Sequence, residues 1–146
     1  MKEYIYLIVP FSSLIICQII KFIIESVKYK ELQWGRLFNG AGGMPSTHTT
    51  FSISLTTLIG LTQGLETPIF AIALIFSLIV SYDATGVRFE SGKQAAAIND
   101  LVEVLDKKKK MNIETLKEQL GHKPLEVLAG ALLGSITSIL FYILIF

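Results

Sequence analysis

Two histidines carry the chemistry of this chain, and they are its only two. His48 lies in Gly42-Gly43-Met44-Pro45-Ser46-Thr47-His48-Thr49, and His122 in Gly121-His122-Lys123-Pro124-Leu125-Glu126-Val127. Each stands where an apolar stretch begins. One imidazole can attack phosphorus as a nucleophile while a second protonates the leaving oxygen. Glu126, four residues after His122, can accept from one ring nitrogen and hold the other in the attacking tautomer. Phosphate is a fitting ligand for the remaining residues. Gly42 and Gly43 permit a close backbone approach. Ser46 and nearby amides at a helix start can donate to an anion. Lys21, Arg88 and Lys28 supply positive charge, and Lys21 and Lys28 fall on one helix face. This set needs no metal and no cofactor.

Blander roles compete for the same residues. An interfacial histidine also serves plain packing. Asp83 is expected to bridge Arg88 or Lys93. Gly130 and Gly134 form a small-xxx-small pair suited to helix packing. Cys17, the single cysteine, sits in an apolar run as a small hydrophobe. Lys107 to Lys110 read as a solvated helix end, which anionic headgroups also attract. His48, His122, Asp83 and Glu126 are not at metal-ligand spacing, which argues against a metal site.

The elements that position these groups are apolar. Of 146 residues 51% are hydrophobic and 17% charged, and the mean hydropathy is +0.57. The net charge of +1 carries no nucleic-acid signature. Four stretches approach the roughly 20 residues that span a bilayer. They are Tyr4 to Ile24, Ser46 to Leu61 (short and rich in Ser and Thr), Thr67 to Tyr82, and Pro124 to Phe146. The first lacks a small-residue cleavage site and reads as a retained span. Gly86 and Gly92 are expected to interrupt the chain after the third. Beyond them Ala95 to Lys108 has helical spacing, and Asn112 to Leu120 reads as a short helix ended by Gly121. Lys and Arg crowd the first and third connections and are missing from the second. The positive-inside rule then puts the motif loops in the cytoplasm and both termini outside. Lys2 alone opposes this.

These motifs resemble a known superfamily. Pro45-Ser46-Thr47-His48 is similar to the P-S-G-H motif of the type-2 phosphatidic acid phosphatases and vanadium haloperoxidases. The segment His122 to Gly130 is similar to their H-x-x-x-D segment, with Glu126 for Asp. Gly42 to Ser46, Tyr82-Asp83-Ala84-Thr85-Gly86-Val87-Arg88, Gly92-Lys93-Gln94-Ala95 and Gly121-His122 resemble its small divergent branch, over nearly the whole chain. The resemblance implies His122 as nucleophile forming a phosphohistidine, His48 as general acid and Glu126 as orienter of His122. Lys21, Ser46 and Arg88 would hold phosphate oxygens, with Gly43 and Thr47 in the phosphate loop and Asp83, Lys93 and Lys28 in support. The chain departs from the parent pattern at three places. Lys28 and Tyr29 stand where K-x6-R-P has Arg and Pro, Leu116 stands at the position of the third-motif Arg, and Thr47 replaces Gly.

The expectation is one all-α membrane domain over residues 1–146. It is a bundle of about four spans with short cytoplasmic helices, in a bacterial cell membrane. It would hydrolyse a lipid phosphomonoester or diphosphate without metal or cofactor. The alternative is a phosphate-site membrane protein without turnover, acting in lipid binding, scaffolding or transport. Partners are membrane lipids and a phosphorylated lipid substrate, with no nucleic acid, and a bundle this small is compatible with a homodimer.

Overall fold

The computed structural model describes residues 4–32, 34, 42–109, 115–118 and 120–146. Among these the chain is helical, with α1 (Ile5–Tyr29), α2 (Thr47–Gln63), α3 (Pro68–Thr85), α4 (Val87–Lys109) and α5 (Pro124–Ile145). Helix boundaries follow local chemistry. Ser46 caps α2, its side chain accepting from Thr49 N–H, and Thr67 caps α3 in the same way for Phe70 N–H. Pro68 and Pro124 sit in first turns, where a missing N–H costs nothing. Gly64 and Gly86 close α2 and α3.

Three segments are long and apolar enough to cross a membrane: α1, the run Pro68–Val104 and α5. The second expected span, α2, is not among them. Its 17 residues include Thr47, Thr49, Thr50, Ser52, Ser54, Thr56, Thr57 and Thr62, too polar to face lipid. It lies instead against α1, α3 and α5. Most of its hydroxyls are satisfied across helices. Ser54 Oγ is 2.9 Å from Ser13 Oγ and 2.8 Å from Ser138 Oγ. Thr56 Oγ1 is 2.8 Å from Ser77 Oγ, and Thr50 Oγ1 donates to Gly130 O at 3.1 Å. Ser13 Oγ in turn is 2.7 Å from Thr137 Oγ1. Interhelical hydroxyl pairs of this kind hold membrane helices together. A small apolar cluster of Ile5, Val9 and Leu58 closes the opposite end of the bundle.

The glycines Gly130 and Gly134 make that contact close. A Cβ on Gly130 would lie 2.6 Å from Ser46 O, and one on Gly134 would lie 2.5 Å from Thr50 O. Both obstacles are backbone, so neither can swing aside. The packing reading of this pair is the one observed.

Connections alternate between the bundle ends. Tyr6 Oη is 2.8 Å from Thr62 Oγ1, which puts the start of α1 beside the α2–α3 turn. The motif loops gather at the other end.

Two local expectations change. Gly86 interrupts the helix but Gly92 does not: it lies inside α4, where a Cβ would come 2.6 Å from Glu118 O. The small residue there serves a close chain crossing. The short helix expected from Asn112 to Leu120 is not formed over 115–118, which are irregular, and 112–114 lie outside the described residues. Its backbone is paired elsewhere. Leu116 N–H donates to Asn99 Oδ1 at 2.7 Å, and Asn99 Nδ2 donates back to Leu116 O at 2.8 Å. Arg36 and Lys110 also lie outside the described residues. The helical spacing from Ala95 to Lys108 is realised within α4.

Gly134→Val should destabilise the folded protein by about 1–3 kcal/mol, the range for overpacking a close contact. Leu132→Val, at a position on α5 that is 57% exposed, should change it little. Thermal unfolding in detergent, followed by helicity, distinguishes them.

Candidate functional site

Three chain segments converge at the motif end. The turn before α5 brings His122, the N-terminus of α2 brings His48, and the α3–α4 junction brings Asp83 and Arg88. They line one cavity of about 360 Å³, with Gly42, Val80, Ala84, Leu120 and Gly121.

His122 is fixed at both backbone and ring. Its N–H donates to Ala84 O at 2.9 Å, which ties the α5 turn to the end of α3. Gly121 before it has φ +75°, and a Cβ there would sit 2.3 Å from Phe89 N. Only glycine fits both conditions. The ring Nδ1 is 3.1 Å from Glu126 Oε2. An ionised carboxylate only accepts, so Nδ1 carries the proton and Nε2 keeps its lone pair. Glu126 Oε2 is itself held by Lys123 N–H at 3.0 Å, closing the first turn of α5. Burial pushes the His122 pKa below the ordinary imidazole value, and the nearby positive charge of Lys21 pushes the same way. The hydrogen bond and charge of Glu126 oppose this shift, while His48 adds to it. A neutral, buried imidazole with a fixed tautomer is the state a nucleophile needs.

The backbone also sets the two histidines relative to each other. Ser46 N–H donates to Glu126 O at 2.9 Å, so the start of α2 is tied to the start of α5. His48 follows two residues later, at the cavity wall. Lys21 lies on α1 with 1% of its surface exposed, and its Nζ donates to Gly42 O at 3.0 Å. The ammonium therefore sits under the Gly42–Gly43 loop, close enough to influence His122.

The expected phosphate-binding set divides. Arg88 lines the cavity and forms an ion pair with Asp83, the bridge expected from the sequence. Gly43, Lys28 and Glu126 line a neighbouring cavity of about 330 Å³, with Glu25 and Lys123. Ser46 is fully buried as the α2 cap, accepting from Thr49 Oγ1 at 3.0 Å. Thr47 is buried toward Cys17, its Oγ1 3.7 Å from the sulfur. Neither lines the main cavity. Lys93 pairs with Glu90 at 2.8 Å on the exposed face of α4 and lies over the Phe89 ring. Among the described residues, no group of three His, Cys, Asp or Glu side chains is arranged to hold a metal ion.

Some participants escape sequence reasoning. The Ala84 carbonyl that anchors His122 has no side-chain signature. Val80 and Leu120 look like ordinary apolar residues. Gln18 did carry a signal, as an amide inside an apolar run. Its Oε1 is buried without a hydrogen-bond partner among the described residues.

The Divergent PAP2 family model matches residues 3–137. The chain is 40% identical over 134 residues to the uncharacterized membrane protein YuiD of Bacillus subtilis (strain 168), covering 84% of each chain. No solved structure matches.

The Asp83 carboxylate competes with any anion for Arg88. Asp83→Asn should therefore tighten binding of inorganic phosphate or vanadate by about threefold, in keeping with a partly exposed ion pair. Calorimetric titration of the purified protein measures it.

Proposed function

The chain belongs to the divergent PAP2 family of membrane proteins, and from that premise we propose that it is a membrane-embedded phosphatase. Its substrate would be a lipid phosphomonoester or diphosphate, cleaved through a phosphohistidine on His122. The observation that carries this reading is the Glu126-held His122 ring, which lines one cavity together with His48 and Arg88.

The chemistry follows from the assigned protons. His122 Nε2 donates its lone pair to phosphorus as the bond from phosphorus to the leaving oxygen breaks. His48, as imidazolium, gives its proton to that oxygen, and the alcohol or shorter phosphate departs. His48, now neutral, takes a proton from water, whose oxygen attacks the phosphohistidine. Inorganic phosphate leaves and His122 is restored. Lys21 and Arg88 offset the phosphoryl charge. Burial, then the positive charges of Arg88 and Lys21, lower the His48 pKa, with Asp83 opposing; a bound phosphate also opposes this shift and favours the protonated form that an acid requires. The cavity lies at the motif end of helices long and apolar enough to span a membrane, which favours a lipid-borne phosphate over a soluble one. With the motif end on the cytoplasmic side, the charge distribution of the connections is satisfied.

Asp83 supports a second reading. An acidic group inside the cavity, already paired with Arg88, suits a site that binds phosphorylated lipid without turning it over.

Phosphate release by the purified protein, across a panel of lipid phosphates and diphosphates with EDTA present, separates the two. Under the hydrolase reading, His122→Ala abolishes release and His48→Ala lowers it by about 10²- to 10⁴-fold, the range for a lost general acid. No release from any panel member, by a folded protein that binds these lipids, supports the second reading.

A pH profile tests the role of Glu126. Activity requires neutral His122, so the acid limb follows its pKa. Glu126 raises that pKa, so Glu126→Gln should move the limb to lower pH while reducing kcat. A limb that stays in place, or moves up, would remove Glu126 from this role.

A further inference from the structure

A second cavity, of about 350 Å³, adjoins the first and shares two of its residues, His48 and Val80. Its other walls include Leu14 and Gln18 of α1, Phe51 of α2 and Phe76 of α3. Along each helix these residues extend about one turn, roughly 5.4 Å, away from the motif end. Gln18 leads to Leu14, His48 to Phe51, and Val80 back to Phe76. The groove is therefore a continuation of the polar cavity down the bundle. Two of its three walls, α1 and α3, belong to segments apolar enough to span a membrane. Phe76 is 58% exposed at the mouth. Phe51 is braced by an edge contact with Phe11, ring centroids 5.2 Å apart.

Thr47 and Ser52 complete the lining; their hydroxyls are already used, Thr47 Oγ1 toward Cys17 and Ser52 Oγ on Thr49 O at 3.4 Å, whereas one further polar atom is not. Gln18 Oε1 is buried and has no hydrogen-bond partner among the described residues. Other buried polar groups of α1 are paired: Ser13 Oγ with Ser54 and Thr137, and Cys17 with Pro45 O. Leaving one buried carbonyl unpaired is unfavourable unless a ligand supplies a donor. Gln18 lines the top of the groove, one turn along α1 from buried Lys21; its Oε1 is itself shielded, so the amide turns about its Cγ–Cδ bond to meet a donor in the groove. A group meeting it would lie just below the phosphate.

We infer that this groove seats the hydrocarbon chain of a lipid phosphate, and that Gln18 selects lipids carrying a hydrogen-bond donor, a hydroxyl or an amide N–H, next to the phosphate-bearing carbon. This rests on the phosphate-site reading above and adds the substrate class to it. Continuity identifies the occupant: the headgroup cavity has cationic Arg88 in its wall and Lys21 beside it, and it opens into an apolar channel facing the bilayer. A site built around a donor-seeking carbonyl discriminates against ligands that leave it unpaired. Gln18 is thus a specificity residue that takes no part in the bond-making steps.

Three single-chain lipids test this: a monoacylglycerol phosphate (hydroxyl donor), an N-acylethanolamine phosphate (amide donor) and an acylpropanediol phosphate with neither. Equilibrium binding and phosphate release are measured on the same protein in nanodiscs, for wild type, Gln18→Met and Leu14→Trp. Gln18→Met keeps the side-chain volume and should not lower the thermal midpoint. In wild type at least one donor lipid should bind about tenfold more tightly than the lipid without a donor. In Gln18→Met that gap should collapse through weaker binding of the donor lipid. Which donor lipid shows the gap distinguishes hydroxyl from amide. Leu14→Trp should weaken all three lipids while leaving inorganic phosphate binding unchanged. Equal binding of the three lipids to wild type, or an unaltered gap in Gln18→Met, overturns the selection by Gln18. Unchanged lipid binding in Leu14→Trp overturns the groove. A Gln18-dependent gap without phosphate release refutes the hydrolase reading and leaves the groove standing. Release without a gap supports the hydrolase reading and removes the selection by Gln18.

Discussion

The close approach of α2 to α5 is the constraint on which the rest depends. Gly130 and Gly134 bring the two backbones together, and Thr50 donates across the seam to Gly130 O. The hydroxyl-rich α2 can occupy the middle of an otherwise apolar bundle because its polar atoms meet Ser13, Ser77, Thr137 and Ser138 through direct or linked contacts. Without that proximity the hydroxyls would be left in hydrocarbon without partners, which is costly. The same seam ends at the Ser46 N–H bond to Glu126 O, and there the helix interface becomes the site. His48 and Glu126 are thus held by the contact that holds the bundle.

Around that seam, charge is arranged with an economy typical of anion sites. Lys21 is buried under the glycine loop, and Arg88 faces the cavity from the α3–α4 junction. The one carboxylate in the cavity wall, Asp83, is bound to Arg88, and the one behind His122 is turned to its Nδ1. Two carboxylates therefore have different work: one moderates the cation, the other fixes a tautomer. The break at Gly86 matters here. It ends α3 and lets α4 start afresh, so that Asp83 and Arg88 can meet across five residues of chain while Ala84 O receives His122 N–H.

Much of this was legible in the sequence. His48 and His122 stood out because apolar runs begin beside them, and the i, i+4 spacing of His122 and Glu126 anticipated their hydrogen bond. The Asp83–Arg88 bridge was also readable, since it arises within a single stretch of chain, and the spacing of Gly130 and Gly134 marked a packing face without naming its partner, α2. The helical class followed from hydropathy. What stayed hidden depends on contacts between distant segments. The Ser and Thr content of α2 looked like a weak membrane span, because nothing in one segment shows that three others will surround it. Residues 115–118 looked helical, yet Asn99, seventeen positions from Leu116, takes both backbone hydrogen bonds of Leu116. Ser46 looked free to bind an anion, but its hydroxyl is used at the α2 cap. Gln18 is an amide inside an apolar run, but only the fold shows that its oxygen is unpaired and that its side chain lines a groove.

The central claim is that His122 carries the phosphoryl group. The most direct measurement is to mix the protein with a lipid labelled in its phosphate, quench within milliseconds in alkali, where phosphohistidine survives, and locate the label by mass spectrometry. The account predicts label on His122, with none in His122→Ala and none on His48. Phosphate release by wild type with no labelled histidine at any time, or release that persists in folded His122→Ala, would contradict it.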